Sequence, residues 1–96
     1  MKKPGNNCYK IEYLKSVVKE DIPLLPKSIN KTIQNAINER LLTDPIGFGK
    51  PLRYNLKLYR SLRIGNYRVI YTIEQENHIV IIVAIKHRRY VYEEVN

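Results

Sequence analysis

Cysteine is nearly missing from this chain: Cys8 stands alone, so no internal disulfide can form, and a reducing cytoplasmic setting is expected. Long apolar runs are missing too. The longest, Ile79 to Ile85, falls far short of the roughly 20 residues that a membrane-spanning helix needs. The first residues, Met1 to Asn7, are charged and polar with no apolar stretch behind them, and are expected to form a loose tail rather than a signal peptide. Two histidines and one cysteine leave no metal-spaced ligand set, so no metal and no cofactor are expected. The sequence has no G-x-x-x-x-G-K-[ST] loop and no G-x-G-x-x-G, which removes the common nucleotide-binding signatures. Acidic residues are absent from one long stretch. None lies between Asp44 and Glu74, so that region holds no carboxylate pair for acid–base work.

Basic residues fill the space the acids leave. Lys50, Arg53, Lys57, Arg60, Arg63 and Arg68 all fall in that stretch, and the whole chain carries 17 Lys+Arg against 9 Asp+Glu, a net charge of +8. Such a field steers in polyanions or an acidic protein partner. With 44% apolar and 27% charged residues the composition is that of a folded globular protein. Ninety-six residues are expected to make one domain, 1–96, with modest stability because so short a chain buries only about two-thirds of its unfolded surface.

Periodicity gives an α+β layout. Residues Cys8 to Tyr13 form a candidate edge strand. Leu14, Val17 and Val18 at helical spacing predict a short helix closed by Pro23. Pro26 suits a helix start, and Ile29, Ile33, Ala36, Ile37 and Leu41 mark one face of the helix that follows. Asp44-Pro45 ends it, because the residue before proline avoids the helical region. Ile46 to Pro51, with two glycines and a proline, is expected to be loop. The period then becomes two, with Gly65-Asn66 as a two-residue hairpin turn and Glu74 to Asn77 as a second turn. The strand from Ile79 to Ile85, apolar on both faces, belongs inside the sheet. The expected architecture is β-α-α-β-β-β, an antiparallel sheet with two N-terminal helices packed on one face, burying Ile33, Ile37, Leu62, Val69 and Val83.

The hairpin carries a geometric consequence. With Gly65 and Asn66 as the loop, Arg63 stands directly opposite Arg68, a like-charge pair that costs stability. A three-residue turn at Gln75 to Asn77 would then set Val69 opposite Val83 and Arg68 opposite Ala84, with Lys86 and Arg88 leaning in on the same face. One reading is a solvated face on which arginine stems cover apolar surface. The other is a phosphate clamp, since guanidinium forks match phosphate oxygens and stay charged. Tyr59, Tyr90 and Tyr92 are candidates to stack on bases, although tyrosines are also common in ordinary half-buried strands. His87 is the residue near the patch whose type titrates near neutrality, and so a candidate general acid or base, although a lone histidine at a strand end is also common as a structural residue. His78 falls at a turn and is expected to be exposed.

The run Leu62-Arg63-Ile64-Gly65-Asn66-Tyr67-Arg68-Val69-Ile70-Tyr71, with His87-Arg88 and Val91-Tyr92-Glu93 after it, resembles the RelE/ParE superfamily of bacterial toxins. The upstream segment Asp21-Ile22-Pro23-Leu24-Leu25-Pro26-Lys27, Asp44-Pro45 and Pro51-Leu52 fit the same resemblance, which spans about residues 8 to 95. It implies a toxin of a type II toxin–antitoxin pair, held by a cognate antitoxin protein. In the RelE-like branch, the better match, it implies an endoribonuclease that enters the ribosomal A site and cuts mRNA. On that resemblance Arg68 matches the phosphate-stabilising arginine, Arg88 the late-strand arginine linked to leaving-group protonation, and Tyr92 the base-orienting tyrosine, with Tyr90 its rival. Arg63 stands near a lysine that serves as base in RelE, and since arginine is a poor base, His87 takes that part here. The expected catalytic set is therefore Arg63, Arg68, His87, Arg88 and Tyr92. Lys57, Arg60, Lys86, Arg89 and Tyr90 are expected to bind RNA around it. The alternatives are a ParE-like gyrase inhibitor without nuclease activity and an inactive RNA-binding relative.

Overall fold

A computed structural model describes residues 9–52 and 58–89. The strands are β1 (Lys10–Tyr13), β2 (Lys50–Pro51), β3 (Tyr59–Ile64), β4 (Tyr67–Glu74) and β5 (Ile79–His87), and the helices are α1 (Lys27–Leu41) and the single turn α2 (Pro45–Phe48). They form one five-stranded sheet in the order β1-β5-β4-β3-β2. This is the expected α+β fold. Its one parallel pair is β1 with β5, because the chain crosses the sheet through the helices before returning.

Helix α1 forms where the apolar spacing predicts it. Pro26 takes an extended conformation at its start, and Ile33, Ala36, Ile37 and Leu41 are buried along one face. They meet Leu62, Ile64, Val69, Tyr71, Val80, Ile82 and Ile85 from the sheet in one core. Fully burying each large aliphatic side chain is worth about 1.5–3 kcal/mol. After α1, Asp44 does more than break the helix. Its carboxylate accepts the Gly47 N–H at 2.9 Å and caps α2, so the segment expected to be loop holds a helical turn and the two-residue edge strand β2. Pro51 is tolerated there because an edge strand can spare a donor.

The predicted first helix is a different object. Residues Val17–Asp21 form a π-helical turn and Ile22–Leu24 a 3-10 turn that contains Pro23 instead of stopping at it. The wide turn brings Val17 and Asp21 inward, while Leu14 and Val18, expected on the apolar face, are left exposed.

The β3–β4 hairpin has the deduced register: Arg63 faces Arg68 and Ile64 faces Tyr67. Gly65 supplies the positive φ, 59°, that a primed two-residue turn needs at its first position. The β4–β5 hairpin corrects the expectation. Its turn has four residues, with His78 at φ 56° closing it and the Glu74 carboxylate accepting the Asn77 N–H. The ladder is also broken between Ile70 and Tyr71, where Val83 is an extra residue between Ile82 and Ala84. Val69 therefore faces Ile85, not Val83, and Arg68 faces Lys86, not Ala84. Val83 leaves the core to Ile82 and Ile85. On the Arg68 side of the bulge the total shift is two residues, so Arg68, Ala84 and Lys86 stay on their expected face; on the other side it is one, which turns Val80 and Ile82 to the core in place of Ile81 and Val83.

Candidate nucleic-acid interface

Strand alternation sorts the sheet into two surfaces. Tyr67, Val69, Tyr71, Val80, Ile82 and Ile85 turn toward the helices. Ser61, Arg63, Arg68, Ile70, Ala84 and Lys86 turn the other way. On that outer surface Arg63, Arg68 and Lys86 are successive cross-strand partners, one from each of β3, β4 and β5. Neighbouring strands run about 5 Å apart, so the three cationic residues start from adjacent points of one face.

Each member of the row is held differently. Arg63 is exposed and donates from Nε to the Gly65 carbonyl at 3.2 Å. Arg68 is half-buried and donates from Nη1 to Ser61 Oγ at 3.2 Å. Lys86 Nζ lies 3.0 Å from Oδ1 of Asp21, whose other oxygen accepts the Ile85 N–H at 2.9 Å. Past the row, the Arg88 N–H donates to the Asn66 carbonyl at 2.7 Å, which ties the end of β5 to the β3–β4 turn. Asn66, His87, Arg88 and Arg89 line an open hollow of about 580 Å³ there. Tyr59, also exposed, shares the outer face with Arg63.

Two expected site residues stand elsewhere. Arg60 belongs to the opposite side of β3, where its Nη2 donates to the carbonyls of Ile46 and Gly49; its guanidinium braces the α2 segment. His87 pairs with Tyr67 and so takes the helix-side parity, its ring edge-on to that tyrosine at 5.3 Å. The strand ends at His87, however, and the imidazole lines the basic hollow as well as an apolar one of about 480 Å³ formed with Leu24, Leu25, Tyr67 and Ile85. Its Nδ1 accepts the Arg89 N–H at 3.4 Å, which in the neutral ring leaves the proton on Nε2. Lys57, Tyr90 and Tyr92 lie outside the described residues.

Sequence reasoning missed Asp21 and Ser61, the two buried polar side chains among the described residues. Ser61 was within reach of it, since the hairpin register alone sets Ser61 diagonal to Arg68. Asp21 gave no local signal, because its partner is 65 positions away. Two tyrosines have hydroxyls raised above the ordinary pKa of 10.0, both by burial. Tyr13 donates to Gln34 Oε1. Tyr71 donates to the Pro45 carbonyl, with Arg60 nearby offsetting part of the rise. Both sit on the helix side, away from the cation row. Among the described residues no three His, Cys, Asp or Glu side chains converge as a metal site would require, and no helix is long and apolar enough to cross a membrane.

Known proteins share this arrangement of strands and helices. Residues 11–92 match the family described as the ParE toxin of the type II toxin–antitoxin system parDE. Toxin RelE of Mycobacterium tuberculosis is 38% identical over 68 residues, covering 71% of this chain and 70% of that protein. Toxin RelG of the same organism is 32% identical over 77 residues, covering 80% of this chain and 88% of that one. Among solved structures, the toxin–antitoxin complex RelBE2 from M. tuberculosis superposes with a TM-score of 0.79 at 31% identity, covering 84% of this chain and 92% of that chain. With the match running through nearly the whole described fold, from β1 past the basic end of β5, the chain belongs to the ParE toxin family of type II toxin–antitoxin systems, within the RelE/ParE superfamily.

Proposed function

We propose that this toxin is a ribosome-dependent mRNA endonuclease, neutralised by a cognate antitoxin. The observation that carries the reading is the row Arg63–Arg68–Lys86 on the outer face of the sheet, with Arg88 and Arg89 at its end. Arg63 and Arg68 stand directly opposite each other, and like charges placed so are destabilising. A bound phosphate reverses that sign. The relatives named RelE and RelG, both above 30% identity, support the same branch. The complexes of similar toxins with RelB-type antitoxins support the partner.

The chemistry follows from what arginines can do. Cleavage begins when the ribose 2′ oxygen attacks the adjacent phosphorus, losing its proton to a base. The P–O5′ bond then breaks, leaving a 2′,3′-cyclic phosphate, and an acid returns a proton to the departing 5′ oxygen. Charge builds on the non-bridging oxygens in between, where fixed guanidinium groups stabilise it. Arg63 and Arg68 are assigned to that oxygen pair, and Arg88 to the leaving group. His87, lining the basic hollow, is assigned to proton transfer, and Lys86 and Arg89 to the flanking phosphates. Tyr92 or Tyr90, with Lys57, would complete substrate contacts from segments outside the described residues.

A second reading rests on the family description itself, which names ParE: inhibition of gyrase with no RNA cut. One experiment separates the two. Induced expression in bacteria, with mapping of mRNA ends and of plasmid supercoiling, is expected to give growth arrest with new in-frame mRNA breaks. The Arg68→Ala/Arg88→Ala double variant is expected to grow normally while keeping a cooperative melt. Arrest with intact mRNA and altered supercoiling would establish the gyrase reading instead.

A further inference from the structure

Ser61 is a buried hydroxyl that neither the apolar core nor the cleavage scheme above uses. Alternation turns it to the outer face with Arg63, two residues farther from the Gly65 turn, yet it is only 6% exposed. It stands opposite Ile70 and so diagonal to Arg68, whose Nη1 donates to Ser61 Oγ at 3.2 Å. Among the described residues that is the one hydrogen bond of its hydroxyl. Arg63, directly across from Arg68, donates from Nε the other way, to the Gly65 carbonyl in the turn. Two arginines set face to face by their strands are thus drawn toward opposite ends of the hairpin. Ser61 also lies on β3, so its bond leans the Arg68 head across toward the strand that carries Arg63. The two heads are offset along the hairpin without being parted across it.

We propose that Ser61 is a positioning residue for RNA cleavage, which holds the Arg68 head offset from Arg63 so that each guanidinium meets a different non-bridging oxygen of the scissile phosphate. The inference rests on the ribonuclease reading. An arginine side chain has several rotatable bonds, and a head left loose beside a like charge swings away from it into solvent. A donor already in place needs no reorganisation when charge builds on the phosphate oxygens, which is the step assigned to Arg68. The serine hydroxyl is itself uncharged. Its removal leaves the field that draws RNA in unchanged, so binding should hold while the chemical step slows.

The test is cleavage of mRNA on programmed ribosomes by the wild-type toxin, Ser61→Ala, Ser61→Thr and Ser61→Val, with kcat and KM resolved. Threonine and valine have nearly the same shape and both suit a strand, so at this site they differ by the hydroxyl. Ser61→Ala and Ser61→Val are expected to lower kcat by about tenfold with KM unchanged, and Ser61→Thr to keep most of the wild-type rate. In an Arg68→Ala background, Ser61→Ala is expected to cost the residual rate nothing further. A wild-type kcat in Ser61→Ala, equal rates with threonine and valine, or a loss confined to KM would overturn the positioning role and leave the ribonuclease reading standing. An equal loss with and without Arg68 would overturn it as well. A wild-type toxin that cuts nothing would overturn both. Should Ser61→Ala fail to fold, the comparison of threonine with valine decides alone.

Discussion

At the scale of single residues, Arg60 and Arg63 show how little residue type decides by itself. They lie three positions apart on β3, so alternation sends them to opposite faces. Arg63 faces solvent in the cation row, whereas Arg60 donates to two backbone carbonyls around α2. The same corner contains Tyr71, fully buried, with its hydroxyl donating to the Pro45 carbonyl. Residue 49 has to be glycine for that contact, because a Cβ there would overlap the Tyr71 hydroxyl. Gly49→Ala is therefore expected to destabilise the toxin by about 1–3 kcal/mol, the usual cost of overpacking. Urea denaturation measures it. An unchanged midpoint would mean that Tyr71 can leave its place without loss. Gly49 looked like ordinary loop composition in the sequence, since its constraint comes from a side chain on a strand 22 positions later.

At the scale of elements, the two hairpins differ in how legible they are. The β3–β4 turn has two residues and a glycine, and so short a loop fixes the register outright. Arg63 opposite Arg68 follows from the residue pattern alone. The β4–β5 register does not, because polar residues in a longer loop allow several closures. Its fourth turn residue shifts the ladder by one and the bulge at Val83 shifts it by one more. Together they move Lys86 opposite Arg68 and keep Ala84 and Lys86 on the outer face, while the single shift before the bulge turns Val80 and Ile82 to the core. Deleting Val83 is therefore expected to remove the bulge and nothing else. Arg68 should still face Lys86 and Val69 should still face Ile85. Cross-strand amide contacts by NMR would show this, with a stability loss within about 2 kcal/mol because Val83 is only partly buried. A new pairing set after Tyr71 would mean that the bulge itself specifies the register.

Across the whole molecule, the sheet is a partition. Its helix side buries the apolar set and its outer side carries the cation row, so Arg63, Arg68 and Lys86 are displayed on the face opposite the core. Binding to an uncleavable, 2′-deoxy-substituted RNA should therefore weaken steeply with salt. If Arg63, Arg68 and Arg88 meet the scissile phosphate and Lys86 and Arg89 one flanking phosphate each, a plot of log K against log salt should fall with a slope of about −2. Titrations between low and physiological salt would measure it. A slope near zero would remove RNA from this surface.

What the sequence determined by itself was everything carried by local pattern. The α+β class, the run of α1 from its Pro26 cap to Leu41, the Gly65-Asn66 hairpin and the interior place of β5 all follow from periods of a few residues and from turn chemistry. Tertiary structure decided the rest. It turned the expected first helix into a π-helical turn, since burial of Val17 and Asp21 outweighed regular spacing. It placed His87 at the edge between two hollows and gave Arg60 to the α2 corner. It brought Asp21 to Lys86, a pairing that depends on where a helical segment crosses a strand edge. Local propensity acts over one turn or one hairpin, whereas a contact across 65 residues exists only once the whole core has closed.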